Sequence, residues 1–271
     1  MSPYSFEQTL QAQSLQVKRA NKTVLKDVSC SLRAGELLGI LGANGAGKSS
    51  LLSALAGELG SQVSESVLLN GHVLSQLPLL AQARQRAVLP QESTLGFDLL
   101  GEQVLAMGAY AYPHARAEKV SLLITRAAKL ADVQHLLERH YLQLSGGERQ
   151  RLHFARVLMQ ILIEREHNPD TRYLLLDEPT SSLDPQHQMR LLRTVSELAH
   201  TEHIGVLVVL HDVNLAARWC SQLLLLHEQT VLAMGSPHSV LTSANLERLY
   251  GLPAMVFPHP LDPSRPMIVF Q

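Results

Sequence analysis

The sequence is poor in cysteine, in aromatic residues and in net charge. Its 271 residues include two cysteines, Cys30 and Cys220, which lie far apart without a C-x-x-C partner. This pattern favours two core thiols in a reducing compartment over a disulfide. With 23 basic and 24 acidic residues the formal net charge is −1, so no global field draws the chain to nucleic acid or to an anionic membrane surface.

Long apolar runs are missing as well. No stretch approaches the roughly 18 consecutive apolar residues of a membrane-spanning helix. Residues 1–16 lack the basic segment and apolar core of a secretory signal. We therefore expect a chain that is made and kept in the cytosol, with any membrane link made locally. The length suits one large α/β domain, or a main domain with a smaller lobe.

The sequence does contain a phosphate-binding loop. It fits the pattern G-x-x-x-x-G-K-[ST] at every fixed position, and its residues are Gly42, Ala43, Asn44, Gly45, Ala46, Gly47, Lys48 and Ser49. In such a loop the backbone N–H groups wrap phosphate oxygens, Lys48 reaches the β and γ phosphates, and Ser49 holds Mg²⁺. Residues 37–41 read as a buried strand, and residues 50–56 as a helix that directs its N-terminus at the phosphates.

The rest of the chain is patterned as an α/β fold with a mostly parallel sheet. Alternation of apolar and polar residues over 10–41 predicts short, partly antiparallel strands. Residues 97–144 have helical spacing and predict a helical lobe. The apolar runs 173–176 and 206–210 are each followed by a helical pattern, which indicates parallel strands. The proline-rich stretch 253–266 predicts an extended surface segment.

Two carboxylates follow the predicted strand 173–176. Nucleotide hydrolysis needs one group to steady Mg²⁺ and another to orient water. Asp177 would meet the metal beside Ser49, and Glu178 would polarise the water. Acidic pairs after strands are also common as helix caps, but together with the phosphate loop and the following Pro179–Asp184 segment the catalytic interpretation is favoured.

At this point the chain resembles the ATP-binding subunits of ABC transporters. The signature of that family, Leu-Ser-Gly-Gly-Glu, stands at 144–148, ahead of a predicted helix over 149–159. Members of the family meet head to tail, so the resemblance implies that Ser145, Gly146 and Gly147 close on the γ-phosphate held by a second copy. It also implies that Asp184 reaches across this dimer.

Two further family motifs fall in order along the chain. Gln91 matches the glutamine loop, which contacts Mg²⁺ and water and hinges the helical lobe. His211 matches the switch histidine that hydrogen-bonds the γ-phosphate. The resemblance thus implies catalytic roles for Glu178, His211 and Gln91, nucleotide contacts along the loop through Ser50, and a Mg²⁺ site made of Ser49, Gln91 and Asp177. Pairs such as His200 and His203 are better read as surface residues than as metal ligands.

Within that family the sequence is most similar to the hemin import ATP-binding proteins. The cues are His211–Ala217, Gly235–Pro237, an extended segment over 160–172, and Pro258–Pro260. The resemblance implies a homodimer with two membrane permease subunits and a periplasmic substrate-binding protein, at the cytoplasmic face of a bacterial inner membrane. It implies one ABC ATPase domain over 1–271, with an α-helical subdomain inserted at about 92–150, an N-terminal antiparallel β subdomain, and an extended tail at about 250–271.

Three functions are alternatives to hemin uptake. A ferric siderophore or cobalamin importer would use the same subunit, because the permease and the external binding protein select the cargo. A soluble ABC ATPase acting on DNA or ribosomes would need a coiled-coil insertion, zinc cysteines or two cassettes, and the sequence has none of these. A nucleotide-binding regulator would be expected to lack the catalytic carboxylate, whereas Glu178 is present.

One departure from the family concerns the adenine base. Many members stack adenine on an aromatic residue before the first core strand, but residues 16–20 contain no aromatic. We hypothesise that the planar guanidinium of Arg19 takes this place. Ala43 and Ser50 stand where proline and threonine are common, and both are tolerable because the loop contacts are mainly backbone.

Overall fold

A computed structural model describes residues 8–19, 22–63, 66–165 and 170–271. Residues 1–7 of the predicted domain and residues 166–169 of the predicted segment 160–172 lie outside these ranges. Two sheets and a hairpin are built from these strands: β1 (Thr9–Arg19), β2 (Lys22–Arg33), β3 (Leu37–Leu41), β4 (Val67–Leu69), β5 (His72–Val73), β6 (Arg86–Leu89), β7 (Tyr173–Asp177), β8 (Gly205–Val209), β9 (Gln222–His227), β10 (Thr230–Gly235), β11 (Ala254–His259) and β12 (Asp262–Phe270).

The central sheet has six strands in the order β10-β9-β3-β8-β7-β6, and only the β9–β10 pair is antiparallel. An antiparallel sheet in the order β2-β1-β4-β5 lies beside it, and β11 pairs with β12. The α-helices are α1 (Lys48–Leu55), α2 (Leu79–Gln85), α3 (Gly101–Ala106), α4 (Ala117–Ala131), α5 (Gly146–Leu162), α6 (Pro185–Glu202), α7 (Val213–Trp219), α8 (Pro237–Val240) and α9 (Ser243–Tyr250). The α/β fold class with its mostly parallel sheet and N-terminal antiparallel sheet is confirmed.

Each central strand serves two cores, because successive side chains point to opposite faces of the sheet. In β3, Leu38 and Ile40 pack with α1 and the antiparallel sheet, whereas Leu37 and Leu41 pack with the helices α4, α5 and α6. All five residues of β3, β7 and β8 are buried. Such strands read as continuous apolar runs, which explains why they were recognisable in the sequence.

The helical region is inserted between two neighbouring parallel strands. The chain leaves the sheet at Leu89, the end of β6, forms α3, α4 and α5, and returns at Tyr173, the start of β7. In α4 the side chains of Ile124, Ala127 and Ala128 are buried, at the spacing of one helical face. This insertion places the N-terminus of α5 on the same side of the molecule as the end of β6.

Some predicted boundaries were wrong. The helix α1 begins at Lys48, directly after Gly47 ends the loop, rather than at residue 50. The prediction missed its first turn because the polar residues there show no apolar periodicity. The helix α5 continues to Leu162, so residues 160–162 are helical rather than extended; Ile161 and Leu162 are buried and prolong its apolar face. Strands β1 and β2 have 11 and 12 residues and are not short.

The C-terminal stretch forms a hairpin rather than a single extended segment. Strands β11 and β12 pair antiparallel from Ala254 with Phe270 to His259 with Asp262. Prolines are tolerated there because this two-stranded sheet leaves N–H positions that no partner needs. Ile268 is buried against α7, which follows β8.

Other expectations can be compared directly with the structure. Both cysteines are buried free thiols, as predicted. His200 and His203 are exposed, and the described ranges contain no cluster of three or more residues suited to hold a metal ion. No helix among the described residues has the length and apolar character needed to span a membrane.

Candidate nucleotide site

The phosphate loop joins the buried end of β3 to the start of α1. Gly47 has φ 105°, and a Cβ there would lie 2.6 Å from the carbonyl oxygen of Val24. A Cβ on Gly42 would lie 2.4 Å from the carbonyl oxygen of Leu226 in β9. Gly42 is therefore required on steric grounds alone, and Gly47 is required also because of its left-handed φ. The fixed glycines of the motif let the loop wrap tightly between neighbouring strands.

A cavity of about 510 Å³ opens over this loop. It is lined by Arg19, Val24, Asn44, Gly45, Gly47, Lys48, Ser49, Ser50, Gln91, Glu178 and His211. Gly42, Ala43 and Ala46 of the predicted set do not line it. Gly42 and Ala46 are buried beneath the loop, and Ala43 is exposed. The cavity thus combines the phosphate loop with the carboxyl ends of several strands, which parallel pairing brings to one edge of the sheet.

Lys48 lies at the floor of the cavity and is 5% exposed. Its Nζ donates to the carbonyl oxygens of Gly42 at 2.9 Å and Ala43 at 3.2 Å. Burial lowers the pKa of this ammonium, while the nearby carboxylates Glu178 and Asp177 act in the opposite direction. Because the buried ammonium of Lys48 has only neutral carbonyls as hydrogen-bond acceptors, it can bind an anion favourably.

Ser49 and Asp177 face each other beside Lys48. The Ser49 hydroxyl donates to Asp177 Oδ1 at 3.4 Å, from the first turn of α1 to the last residue of β7. Burial raises the pKa of the Asp177 carboxyl, and the Ser49 hydroxyl lowers it. Because desolvation disfavours the charged form, Asp177 would gain from a cation bound at this point.

Both carboxylate oxygens of Glu178 contact a neighbouring side chain. Gln91 Nε2 donates to its Oε2 at 2.8 Å, and His211 Nε2 lies 2.6 Å from its Oε1. Gln91 comes from the loop after β6, and His211 follows β8, on either side of β7. Glu178 has φ 48°, a left-handed conformation that is unusual outside glycine. The three residues predicted as catalytic therefore meet at one point over the phosphate loop.

The signature residues lie elsewhere in the same chain. Ser145 caps α5 in a reciprocal capping box: its Oγ accepts from the backbone N–H of Glu148, and Glu148 Oε2 accepts from the backbone N–H of Ser145. Ser145 and Gly146 are exposed. Gly146 lines a separate cavity of about 220 Å³ between α5 and the Gln91 loop. None of Ser145, Gly146 and Gly147 lines the cavity over the phosphate loop.

Asp184 also lies outside that cavity and caps a helix. Its Oδ1 accepts from the backbone N–H of His187 at 3.0 Å, and its Oδ2 lies 2.7 Å from the His187 ring. Pro185 follows it at the first position of α6, where a missing N–H costs nothing. Hydrogen bonding to His187 lowers the pKa of the Asp184 carboxyl. Asp184 is therefore held as an exposed carboxylate at the start of α6.

Two contributors were missed by the sequence analysis. Gln150, in the second turn of α5, donates through Nε2 to the carbonyl oxygen of Pro179 at 2.9 Å and more weakly to that of Glu178 at 3.4 Å. It thereby ties the signature helix to the backbone of the Glu178 turn. Val24 lines the cavity from β2, within the stretch 10–41 that the sequence predicts only as strands. A lone Gln or Val carries no signal in a sequence, so neither contact was predictable.

The arrangement suits phosphate transfer to water. A loop of backbone amides and a buried lysine receive the phosphates, a hydroxyl and a desolvated carboxylate face a cation position, and a doubly held carboxylate stands beside them. This fold and this site define a P-loop nucleoside-triphosphate-binding protein.

Comparison with known proteins gives the family. A family model described as ABC transporter matches residues 25–181. The hemin import ATP-binding protein HmuV of Bordetella avium is 51% identical over 263 residues, spanning 97% of this chain and 100% of the relative. The protein of the same name from Pseudomonas fluorescens is 46% identical over 260 residues, spanning 96% and 99%. The chain belongs to the family of ABC transporter ATP-binding proteins, and as a member it couples ATP hydrolysis to transport.

Solved structures agree in fold. An ABC transporter of metal-chelate type in an inward-facing conformation matches with a TM-score of 0.76 at 24% identity, covering 97% of each chain. The ATP-binding subunit of an ABC transporter matches with a TM-score of 0.74 at 24% identity, covering 89% of this chain and 98% of that one. At this identity the likeness establishes the ABC ATPase fold.

Proposed function

We propose that this chain powers hemin uptake as the ATP-hydrolysing subunit of an ABC importer. The observation that carries the cargo assignment is identity near 50% along almost the whole chain with proteins named for hemin import. A ferric siderophore or cobalamin importer remains the alternative for the same subunit, but no relative cited here carries such a name. The chemistry of the site is the same in either case.

In this proposal the loop and Lys48 bind the triphosphate. Lys48 gives up its carbonyl partners Gly42 and Ala43 for the β and γ phosphates, a strong exchange because a buried ammonium binds an anion better than a neutral oxygen. The N-terminus of α1 adds its free N–H groups to phosphate binding. Asn44, Gly45, Ala46, Gly47 and Ser50 complete the nucleotide contacts.

Magnesium would be held by Ser49, Asp177 and Gln91. The donors fit this ion, because Mg²⁺ prefers a hydroxyl and one or two carboxylates together with phosphate oxygens and water. The close pair of Ser49 and the buried Asp177 supports this, and Gln91 donates to Glu178 through its nitrogen, which leaves its oxygen for the metal. When bound, Mg²⁺ neutralises charge on the phosphates.

Glu178 is the general base of the proposed reaction. Its carboxylate takes one proton from water as the water oxygen bonds to the γ-phosphorus, and the bond from that phosphorus to the β–γ bridging oxygen breaks to release ADP. His211 hydrogen-bonds the γ-phosphate, so nucleotide binding would draw it from Glu178 and free Oε1 for the water. Gln91 keeps the other oxygen oriented. General-base catalysis of this kind contributes about 10²–10⁴-fold to rate.

A second copy completes each site in this proposal. In this role Ser145, Gly146, Gly147 and Asp184 contact the partner's γ-phosphate. The proposal is supported by their position outside their own chain's cavity and by the exposure of Ser145, Gly146 and Asp184. The N-terminus of α5 would then offer its N–H groups to the phosphate across the dimer. Two equivalent sites form when two copies close head to tail.

The proposed assembly includes two membrane permease subunits and a periplasmic substrate-binding protein, and no nucleic acid. Phe97, Tyr110 and Leu122 of the helical region are about three-quarters exposed, at 75%, 75% and 73%, and offer apolar surface to a permease. The subunit would lie peripherally on the cytoplasmic face of a bacterial inner membrane. Closure of the dimer would then be transmitted through the helical region to the permease.

The test replaces the general base. Glu178→Gln should lower ATP turnover by at least about 100-fold, trap an ATP-bound dimer and stop hemin uptake in cells that carry only this variant. The control is Glu247→Gln, an exposed glutamate of α9, which should leave turnover and uptake unchanged. Normal turnover in Glu178→Gln would refute the mechanism. Normal hemin uptake together with lost siderophore or cobalamin uptake would instead reassign the cargo.

The adenine contact is tested separately. Arg19 lines the cavity beside Val24, which supports its proposed stacking on the base. Stacking on a planar side chain is worth about 1–3 kcal/mol in nucleic-acid systems, so Arg19→Ala should weaken ATP affinity by about fivefold or more. Lys18→Ala removes a neighbouring exposed cation and is the matched control. Unchanged affinity in Arg19→Ala would sink the hypothesis.

A further inference from the structure

The helix after the proposed switch histidine is too short to hold itself in place. Helix α7 has seven residues, Val213–Trp219, and isolated helices of that length are marginal in water. Its N-terminus is capped by Asp212, whose Oδ1 accepts from the backbone N–H of Asn214 at 2.8 Å and of Leu215 at 2.9 Å. His211 directly precedes this cap. The position of His211 therefore depends on what anchors α7.

The C-terminal hairpin anchors the first turn of α7. Asn214 Nδ2 donates to the carbonyl oxygen of Ile268 at 3.0 Å, and the backbone N–H of Ile268 donates back to Asn214 Oδ1 at 2.7 Å. The side-chain amide of Asn214 thus both donates to and accepts from the backbone of β12, as the peptide groups of a neighbouring strand do. Ile268 itself is 4% exposed and packs into the main core. The contact is reciprocal and sits on a buried point of the hairpin.

The same strand holds the other end of α7. Arg265 Nη1 donates to the carbonyl oxygen of Cys220 at 2.7 Å, and it reaches that of Ala217 at 3.4 Å. These carbonyls lie at the end of the helix, where no intrahelical donor remains. A cation at a helix C-terminus also interacts favourably with the helix dipole. Strand β12 therefore clamps α7 at both ends, through Asn214 and through Arg265.

We propose that Asn214 and Arg265 are positioning residues, through which the C-terminal hairpin holds α7 so that His211 meets Glu178 and the γ-phosphate. The inference rests on the proposed function, because it takes His211 as a γ-phosphate contact. In the structure His211 Nε2 lies 2.6 Å from Glu178 Oε1, and in the proposed reaction the imidazole moves from there to the γ-phosphate. Loosening α7 would displace the imidazole without removing the phosphate loop.

The experiment uses the full chain. Asn214 is exposed, so Asn214→Ala removes the two bonds without opening a core cavity. We expect kcat per bound nucleotide to fall about tenfold, while KM for ATP stays within about twofold. The expected loss is smaller than the roughly hundredfold that a 1 Å misplacement of a catalytic group can cost. Arg265→Met keeps the side-chain length and should act in the same direction. Asn245→Ala, which removes a 2.8 Å bond to the Val240 carbonyl away from α7, is the matched control.

A second measurement does not depend on catalysis. Trp219, the single tryptophan of the chain, is the last residue of α7. Acrylamide quenching of its fluorescence should increase in Asn214→Ala and Arg265→Met and stay unchanged in Asn245→Ala, because only the first two release the helix. A variant that merely lost folded protein would bind less nucleotide per chain and would show an unchanged kcat per bound nucleotide.

The outcomes separate the two proposals. If Glu178→Gln abolishes turnover but Asn214→Ala and Arg265→Met keep the wild-type kcat, the positioning role is overturned and the proposed function stands. An equal loss of kcat in Asn245→Ala also overturns it, since the effect is then not specific to α7. If wild-type turnover does not depend on Glu178, the proposed function fails and this inference fails with it.

Discussion

His153 should make this protein lose stability in mild acid. It lies in α5, is 1% exposed, and its Nε2 is 2.9 Å from the hydroxyl of Tyr141, which in turn donates to the carbonyl oxygen of Ser93. Its Nδ1 has no hydrogen-bond partner among the described residues. Burial, with a smaller contribution from the positive charge of Arg156, lowers the pKa of His153 from 6.5 to about 4. The ring is therefore neutral in the folded state at pH 7.

The size of the effect follows from that pKa. Because a tenfold change in proton affinity corresponds to about 1.36 kcal/mol, the folded chain binds this proton about 3 kcal/mol less tightly than the unfolded chain. The full stability is present well above pH 6.5, the pKa in the unfolded chain, where neither state is protonated at His153. As the pH falls, the unfolded state takes up the proton first. Between pH 7 and 5.5 the free energy of unfolding should drop by about 1 kcal/mol from this residue alone.

The assay compares urea unfolding of the wild type with that of His153→Gln at pH 7 and 5.5. Glutamine can still hydrogen-bond Tyr141 but does not titrate, so the variant should lose about 1 kcal/mol less than the wild type over this interval. His200→Gln, which removes an exposed histidine, should follow the wild type. If His153→Gln loses stability as steeply as the wild type, the reasoning from burial is refuted.

Three further predictions concern the loop and the thiols. Lys48→Met should weaken ATP binding at least about tenfold, measured by titration calorimetry. Thermal unfolding should show equal or higher stability, because the variant no longer bears the desolvation cost of a buried ammonium. Gly47→Ala should abolish ATP binding in the same titration, since its Cβ would meet the Val24 carbonyl at 2.6 Å; tight binding would contradict this. Cys30 and Cys220 should resist thiol reagents at pH 8 until urea is added, because burial raises the pKa of these thiols to about 11 and about 12; rapid labelling of native protein would contradict this.

Local patterns predicted three of the six strands of the central sheet. Strand β3 was predicted at its observed bounds, and β7 and β8 within one residue, because strands covered on both faces read as short apolar runs. Strands β6, β9 and β10 were not predicted, and β1 and β2 are longer than predicted. The other errors fell at helix ends and in the tail. Helix α5 runs three residues past its predicted end at residue 159, and the C-terminal stretch folds back as β11 and β12. Polar helix turns and proline-rich strands carry little periodicity, so packing alone decides them.

The site divides in the same way. The phosphate loop is a contiguous segment whose glycines, lysine and serine act through local backbone geometry, and it was recognisable from the sequence. The meeting of Gln91 with Glu178 joins residues 87 positions apart, and only the parallel order of β6, β7 and β8 brings them together. The order of the motifs suggested this meeting through resemblance, whereas the distances come from the fold.

The fold class, the phosphate loop and the order of the motifs can be read from the sequence, because they depend on periodicity and on residues close together in the chain. The folded chain was needed to find that Lys48 bonds the loop carbonyls, that Gln150 ties α5 to the Glu178 turn, and that Asn214 is bound by Ile268. Two of these contacts join residues far apart in the chain, whereas Lys48 reaches carbonyls five and six residues before it. Their partners are often backbone atoms, which every residue has, so no sequence pattern marks them.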